Sequence, residues 1–365
     1  MRSSVVFRTD ASTQIGSGHV KRCQSLGAAL VRRGMEVIFV ARVSDVPMYG
    51  MFEGQPFTLI ELPAAQQTTA GRQATAPAHA HWLATDWQAD AAATIASLQG
   101  RLVDLVVVDH YALDAHWHRV VSAALNCRMV AIDDLADRVL AVDLIVDHNH
   151  AEDHSLKYQS VNSAHAPILG GPRHALLAET FERAPRNPAS DPVRSVGIFM
   201  GGIDKLKLSE AALRGLRDTA GFSGAVEIVT TSGNPNLDAL VVVTAADGRT
   251  QLTVDAPDLA GFFGRHELHI GAGGGATWER CCLGAPSIAV VVAENQRQVL
   301  LPLARLKVLD LVEQEAPGAD VMGAHARALI HQPQLRKELS VNAVQLVDGS
   351  GCRRISDHLM NLCQP

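Results

Sequence analysis

No apolar run in this 365-residue sequence approaches the roughly 20 residues a helix needs to cross a bilayer. The opening residues lack the basic, apolar and small-residue regions of a signal peptide and read directly into a strand. Positive charge is not in excess either. With 32 Lys and Arg against 38 Asp and Glu, the net charge is -6 and the pI near 6.2, so electrostatics give no reason to expect nucleic acid. A C-x-x-C pair is also missing. The six cysteines are scattered, with only Cys281 and Cys282 adjacent, and read as reduced, buried thiols of a cytoplasmic protein. What is present is a globular composition, 47% apolar and 19% charged, in a chain long enough for two ordinary domains. A monomer without nucleic-acid or membrane partners is the expectation.

Apolar, strand-like runs alternate with helical patterns: "EVIFV", "LVDLVVV", "CRMVAI" and "VDLIV", then "SVGIFM", "AVEIVTT", "ELHI" and "SIAVVV". Such alternation implies parallel sheets covered by helices. Pro185, Pro188 and Pro192 mark the break between the two series. The expected division is an α/β domain over 1–165, a linker over 166–192 and a second α/β domain over 193–365. Two such domains would face each other across a cleft. The stretch Thr68 to Ala80 reads as a loop or weak helix.

Three strand ends in the first half carry polar residues. In "RTDASTQIGSGHVKRC" a loop with Gly16 and Gly18 joins the first strand to a helix whose apolar face holds Cys23, Leu26 and Leu30. His19 stands at that helix's start, where the backbone dipole favours the neutral imidazole, the form that can act as a general base. Asp10 could orient the ring or bind a substrate hydroxyl; a turn or cap role is equally compatible. "VVVDHY" brings Asp109, His110 and Tyr111 to a second strand end, and "VAIDDLADR" brings Asp133 and Asp134 to a third. One or two of these are expected to touch substrate. "DHNHAEDH" places His148, His150 and His154 close together but supplies no clear fourth ligand, so it reads as a surface turn without metal.

The second half holds "ELHIGAGGGATWERCCLGAPSIAVVVAENQ". A strand runs into Gly271, Gly273, Gly274 and Gly275, a short helix is expected from near Thr277, and a second strand is expected to finish at Glu294-Asn295-Gln296. Backbone N–H groups of such a turn, with the helix N-terminus, suit a diphosphate. Glu279 is placed in the first helical turn, as a favourable charge on the dipole or as an acceptor for ribose hydroxyls. Gly271, Gly273 and Ala276 also satisfy G-x-G-x-x-A, with Glu294 at a distance suited to the ribose of NAD. The short helix and the position in the second half weigh against that alternative. In "IFMGGIDK", Gly201 and Gly202 form a weaker anion candidate, the other side of a diphosphate clamp if the two turns face one pocket.

Taken together, "DASTQIGSGHVKRCQSLGAAL", "VDHYALDAHW", "IDDLADR" and "GAGGGATWERCCLGAPS…AENQ" resemble the nucleotide-sugar hydrolases of pseudaminic acid biosynthesis. The resemblance implies the GT-B architecture, α/β with two Rossmann-like domains, and a C-terminal helix near Cys352 that crosses back onto the first domain. It implies hydrolysis of a UDP-linked 2,4-diacetamido-2,4,6-trideoxy sugar at C1 with inversion, without metal or cofactor. His19 falls on the family's catalytic histidine, Glu279 on its nucleotide-facing glutamate and Asn295 on the asparagine near sugar and phosphates. The expected substrate-binding set is Asp10, Gly18, Asp109, Tyr111, Gly201, Gly202, Gly273, Gly274, Gly275, Thr277, Glu279, Asn295 and Gln296. The chain departs from the family at Ile203 and Lys205, in "GGIDK" where G-G-S-D-P is usual. It departs again at Gly275 and Ala276, where hydroxyl residues are usual. Three other classes fit parts of the pattern: a GT-B glycosyltransferase using a UDP-sugar, an NAD-binding enzyme, and a nucleotide-sugar binder without turnover.

Overall fold

The computed structural model describes residues 3–45, 48–64, 76–187 and 189–364, so Pro188 and most of the stretch Thr68 to Ala80 lie outside the described residues. The chain divides into two compact units, Met1–Ala178 with Ser350–Pro365, and Glu179–Gly349.

The first unit holds strands β1 (Ser4–Thr9), β2 (Glu36–Arg42), β3 (Thr58–Leu62), β4 (Leu105–Asp109), β5 (Arg128–Ile132), β6 (Leu144–Asp147) and β7 (Ile168–Gly170). They form one parallel sheet in the order β3-β2-β1-β4-β5-β6-β7. Apolar residues run continuously through the central strands because both faces are covered. Val5, Phe7, Val37, Phe39, Leu105 and Val107 pack on one side, while Val6, Ile38, Val40, Val106 and Val108 pack on the other. The helix Gly18–Arg32 buries Val20, Cys23, Leu26, Ala29 and Leu30, and Gly34, at φ +85°, takes the chain out of it into β2. The C-terminal helix Gly351–Leu362 adds Ile355 and Leu359 to the same side of this sheet.

The second unit contains β8 (Ser195–Phe199), β9 (Ala225–Thr230), β10 (Thr250–Val254), β11 (Leu268–Ala272), β12 (Ser287–Val290) and β13 (Asp310–Val312). Their order is β10-β9-β8-β11-β12-β13, again parallel. Each sheet therefore reverses its winding direction next to its first strand, between β1 and β4 and between β8 and β11. Open α/β sheets bind ligands at such switch points, outside the carboxyl ends of the strands.

The boundary expected at Glu294-Asn295-Gln296 moves. The strand before Glu294-Asn295-Gln296 stops at Val290, and Glu294 opens the helix Glu294–Arg305 instead of closing the strand. Ala293 is extended, and the Gln296 side chain accepts from the Val292 N–H at 3.2 Å, which ties the new helix to the end of the strand.

Candidate active site

In the first unit, Gly16 at φ +76° closes the loop after β1 by donating to the Ser12 carbonyl at 2.7 Å. The loop delivers His19 as the second residue of the helix Gly18–Arg32, whose N-terminus has no side-chain cap. Strand β4 lies beside β1, with Asp109 in register with Thr9, so Asp109 arrives directly beside the histidine. His19 Nδ1 is 2.6 Å from Asp109 Oδ1. An ionised carboxylate only accepts, so Nδ1 carries the proton and Nε2 is left as the basic nitrogen. Arg22, one helical turn after His19, holds the same carboxylate with Nε and Nη2, each at 2.6 Å. Cys23 Sγ donates to its second oxygen at 3.3 Å. Burial works against an Asp109 charge, but Arg22 first and His19 next outweigh it and hold the carboxyl well below its ordinary range.

Asp10 does not orient the ring, contrary to one expectation; Asp109 does. Arg8 is wholly buried and needs carboxylate partners, and Asp10 supplies one, with Arg8 Nη2 3.0 Å from its Oδ2. Its Oδ1 also accepts from the Arg42 backbone N–H at 2.7 Å, and His110 Nε2 lies 3.1 Å from Oδ2.

Aromatic rings stand next to His19. The Tyr111 ring meets it edge-on at 4.7 Å between centroids, Trp82 lies 6.2 Å away, and His79 packs on both Trp82 and Tyr111. The Tyr111 hydroxyl donates to Asp134, which also accepts from Asn149 Nδ2 at 2.9 Å and lies 3.7 Å from Arg22 Nη1. Asp133 points elsewhere, to Arg138 and Tyr158. The segment from Asp147 to His154 is not a surface turn at its start: Asp147 and His148 are buried at the end of β6, where Lys157 pairs with Asp147 at 2.6 Å. Its later part caps and opens the short helix His154–Tyr158. Among the described residues, no cluster of His, Cys, Asp and Glu is arranged to hold a metal ion.

In the second unit the four glycines have different reasons to be glycine. A Cβ at Gly271 would come 2.6 Å from both the Phe199 carbonyl oxygen and Arg280 Nη1. Gly273 lies under Gln296 and Leu300, and Gly274 has φ +96°. Gly275 meets nothing and begins the helix Gly275–Cys282, two residues earlier than expected, so Glu279 falls in the second turn and not the first. That helix has neither a side-chain cap nor an acidic residue in its first turn, and its N-terminus is electrostatically open to an anion. Thr277 is buried, with its N–H on the Gly274 carbonyl at 3.0 Å. Gln296 comes to the turn from the next helix.

Gly201, at φ +88°, and Gly202 follow β8, the neighbour of β11, so the two glycine turns share one sheet edge. Here the helix end is closed. Asp204 accepts from the backbone N–H of Leu208 at 2.9 Å and of Ser209 at 2.8 Å, satisfying the first turn of the helix Leu208–Arg214. Of the two expected anion sites, only the turn before Gly275–Cys282 keeps a free helix N-terminus.

Sequence reasoning missed Arg22, Trp82, Asp204 and Arg280. Arg22 had a signal, its i+3 spacing from His19. Asp204 had one too, as an Asp just ahead of a helical run. Trp82 and Arg280 had none, because tertiary placement alone brings them in.

No family model matches the chain. It is 22% identical over 303 residues to the UDP-2,4-diacetamido-2,4,6-trideoxy-beta-L-altropyranose hydrolase of Campylobacter jejuni, covering 82% of this chain and 96% of that protein. It is 21% identical over 270 residues to the spore coat polysaccharide biosynthesis protein SpsG of Bacillus subtilis, covering 73% of this chain and 78% of that one. Among solved structures, MurG of Acinetobacter baumannii superposes with a TM-score of 0.69 at 14% identity, covering 98% of this chain and 99% of its own. UGT2 of Phytolacca americana, complexed with UDP-2-fluoro-glucose and pterostilbene, gives 0.69 at 13% identity, covering 99% and 100%. The fold is the GT-B class of two parallel-sheet, Rossmann-like domains.

Proposed function

We propose that this protein hydrolyses a UDP-linked 2,4-diacetamido-2,4,6-trideoxy sugar at C1, with inversion and without a metal ion, in pseudaminic acid biosynthesis. The observation that carries the reading is the 2.6 Å contact between His19 Nδ1 and Asp109 Oδ1, which leaves Nε2 as a proton acceptor. The name of the Campylobacter jejuni relative supports the choice of substrate.

In this reading the second unit receives the nucleotide. The diphosphate takes the Gly273–Gly275 turn and the open N-terminus that follows, with Gly201 and Gly202 on the neighbouring strand end. Glu279 accepts from the ribose and Gln296 completes the set; the side chain of Asn295, expected there too, lies outside the described residues. The first unit supplies the base, with Gly18 and Tyr111 beside it. A water oxygen forms the new bond to C1 while the bond from C1 to the phosphate oxygen breaks. The bonding pair leaves with UDP, and the water's proton passes to His19 Nε2. Asp109 then faces an imidazolium and stabilises it, as the buried carboxylate of a Ser-His-Asp triad does. UDP is already a good leaving group, so preorganised N–H donors at its phosphates serve in place of a second carboxylic acid.

A second reading has its own observation. The rings of Trp82 and Tyr111 beside His19 offer an apolar wall against which the acceptor of a glycosyltransferase could lie, with His19 deprotonating its hydroxyl. One assay separates the two: UDP release from UDP-2,4-diacetamido sugars with EDTA present and no acceptor. Release that is indifferent to EDTA and collapses in His19→Ala supports hydrolysis. Substrate binding without release until an acceptor is added would replace it with transfer.

A further inference from the structure

Five arginines are buried among the described residues, and four of them have a carboxylate: Arg8 with Asp10 and Asp90, Arg42 with Asp90, Arg138 with Asp133, and Arg336 with Asp191. Arg280 has none. It is 1% exposed, and its Nη2 donates to the Ala272 carbonyl at 3.0 Å and to Thr277 Oγ1 at 3.3 Å, while Nε and Nη1 have no partner. The Phe263 ring, 5.9 Å from the guanidinium carbon, gives only partial compensation.

The position of this charge is specific. Ala272 is the last residue of β11, Thr277 lies in the first turn of Gly275–Cys282, and Nη1 is 2.6 Å from where a Gly271 Cβ would stand. The guanidinium therefore lies between the end of β11 and the first turn of the helix, beneath the glycine turn that joins them. Glycine at 271 leaves room for it. A buried, unpaired cation is costly to keep, and burial pushes the Arg280 pKa down to about 10. An anion arriving on the turn from above would supply the missing counter-charge.

We propose that Arg280 is a fixed positive charge beneath the turn that binds a diphosphate, and that it sets the affinity of this site for the diphosphate separately from the nucleoside. The assignment of that diphosphate to UDP rests on the function proposed above. During cleavage the same charge would face the negative charge gained by the departing phosphate, without reorganising. The effect needs no direct contact, because field lines through the protein interior are weakly screened.

The test is calorimetric binding of UDP, uridine and inorganic pyrophosphate to the full chain, with Arg280→Gln and Arg280→Lys beside the wild type. Arg280→Gln should weaken UDP and pyrophosphate at least tenfold and leave uridine within twofold. Arg280→Lys, which keeps the charge, should stay within about threefold of wild type for UDP. Equal UDP affinity in wild type and Arg280→Gln overturns the inference. Should Arg280→Gln not fold, the wild type still decides: UDP binding with no pyrophosphate binding overturns the inference and leaves the nucleotide reading standing. Pyrophosphate binding without any binding of UDP sustains the charged turn and defeats the nucleotide reading.

Discussion

Asp109 Oδ1 lies 2.6 Å from His19 Nδ1, and the same carboxylate is gripped on both oxygens by Arg22. The carboxylate thus fixes the tautomer of the histidine while the arginine fixes the carboxylate. Replacing Asp109 with Asn keeps the shape but offers an amide that can donate to Nδ1, which then moves the proton to Nε2. Turnover should fall by roughly 10³- to 10⁴-fold with the KM for the UDP-sugar little changed, as for other misassigned catalytic histidines. Steady-state kinetics of Asp109→Asn on the full chain check this; an unchanged kcat would remove Asp109 from the mechanism.

The two glycine turns at the edge of the second sheet should respond differently to charge. Asp204 occupies the helix end after Gly201–Gly202, so it stabilises the fold and repels an anion nearby. Asp204→Ala should cost about 1 kcal/mol of stability, the scale of a lost helix cap. UDP affinity should hold or rise. Urea unfolding and calorimetry on one preparation measure both, and a tenfold loss of UDP affinity would show that Asp204 belongs to the ligand site.

The alternating apolar runs made both parallel sheets legible, because strands buried on two faces must be apolar throughout: Val5, Val6 and Phe7 carry that signal without any partner being known. His19 and the glycine turn were legible for a similar reason, since both sit where a strand hands over to a helix. The roles of Asp10 and Asp109 were not. Both are acids closing an apolar strand and both pair with an arginine, and only the tertiary contact of Asp109 with His19 sets it apart from Asp10, which serves the buried Arg8. The start of the helix at Glu294 was hidden by "SIAVVVAENQ", where three apolar residues follow the true strand end at Val290.

Glycine at 271 and glycine at 275 look alike in the sequence and should behave oppositely. An alanine methyl at Gly271 would press on the Phe199 carbonyl and on the buried Arg280 guanidinium, neither of which can move freely. Gly271→Ala should therefore destabilise by about 1–3 kcal/mol, the usual cost of overpacking. Gly275 has nothing within 4 Å of an added Cβ and begins a helix, so Gly275→Ala should be neutral or slightly stabilising. Thermal denaturation of the two variants side by side tests the contrast, which fails if their midpoints shift alike.

Two buried histidines should make the first unit acid-sensitive. Burial, reinforced by Arg138 and Arg119, pushes the His118 pKa down to about 3; burial, reinforced by Arg22, pushes that of His148 down to about 4. Each ring has a nitrogen without a partner, Nε2 of His118 and Nδ1 of His148, so neither gains a bond by charging in place. In the unfolded chain both would titrate near 6.5. Above that pH both states are neutral and nothing depends on pH. As pH falls below it, the unfolded state binds protons that the folded state refuses, so stability is lost progressively, down to about pH 4 for His148 and about pH 3 for His118. By pH 5 the loss is about 2 kcal/mol per histidine. Urea midpoints at pH 7 and pH 5 should separate clearly for the wild type and much less for a His118→Gln, His148→Asn double variant. An equal separation in both proteins would mean that other groups carry the acid sensitivity.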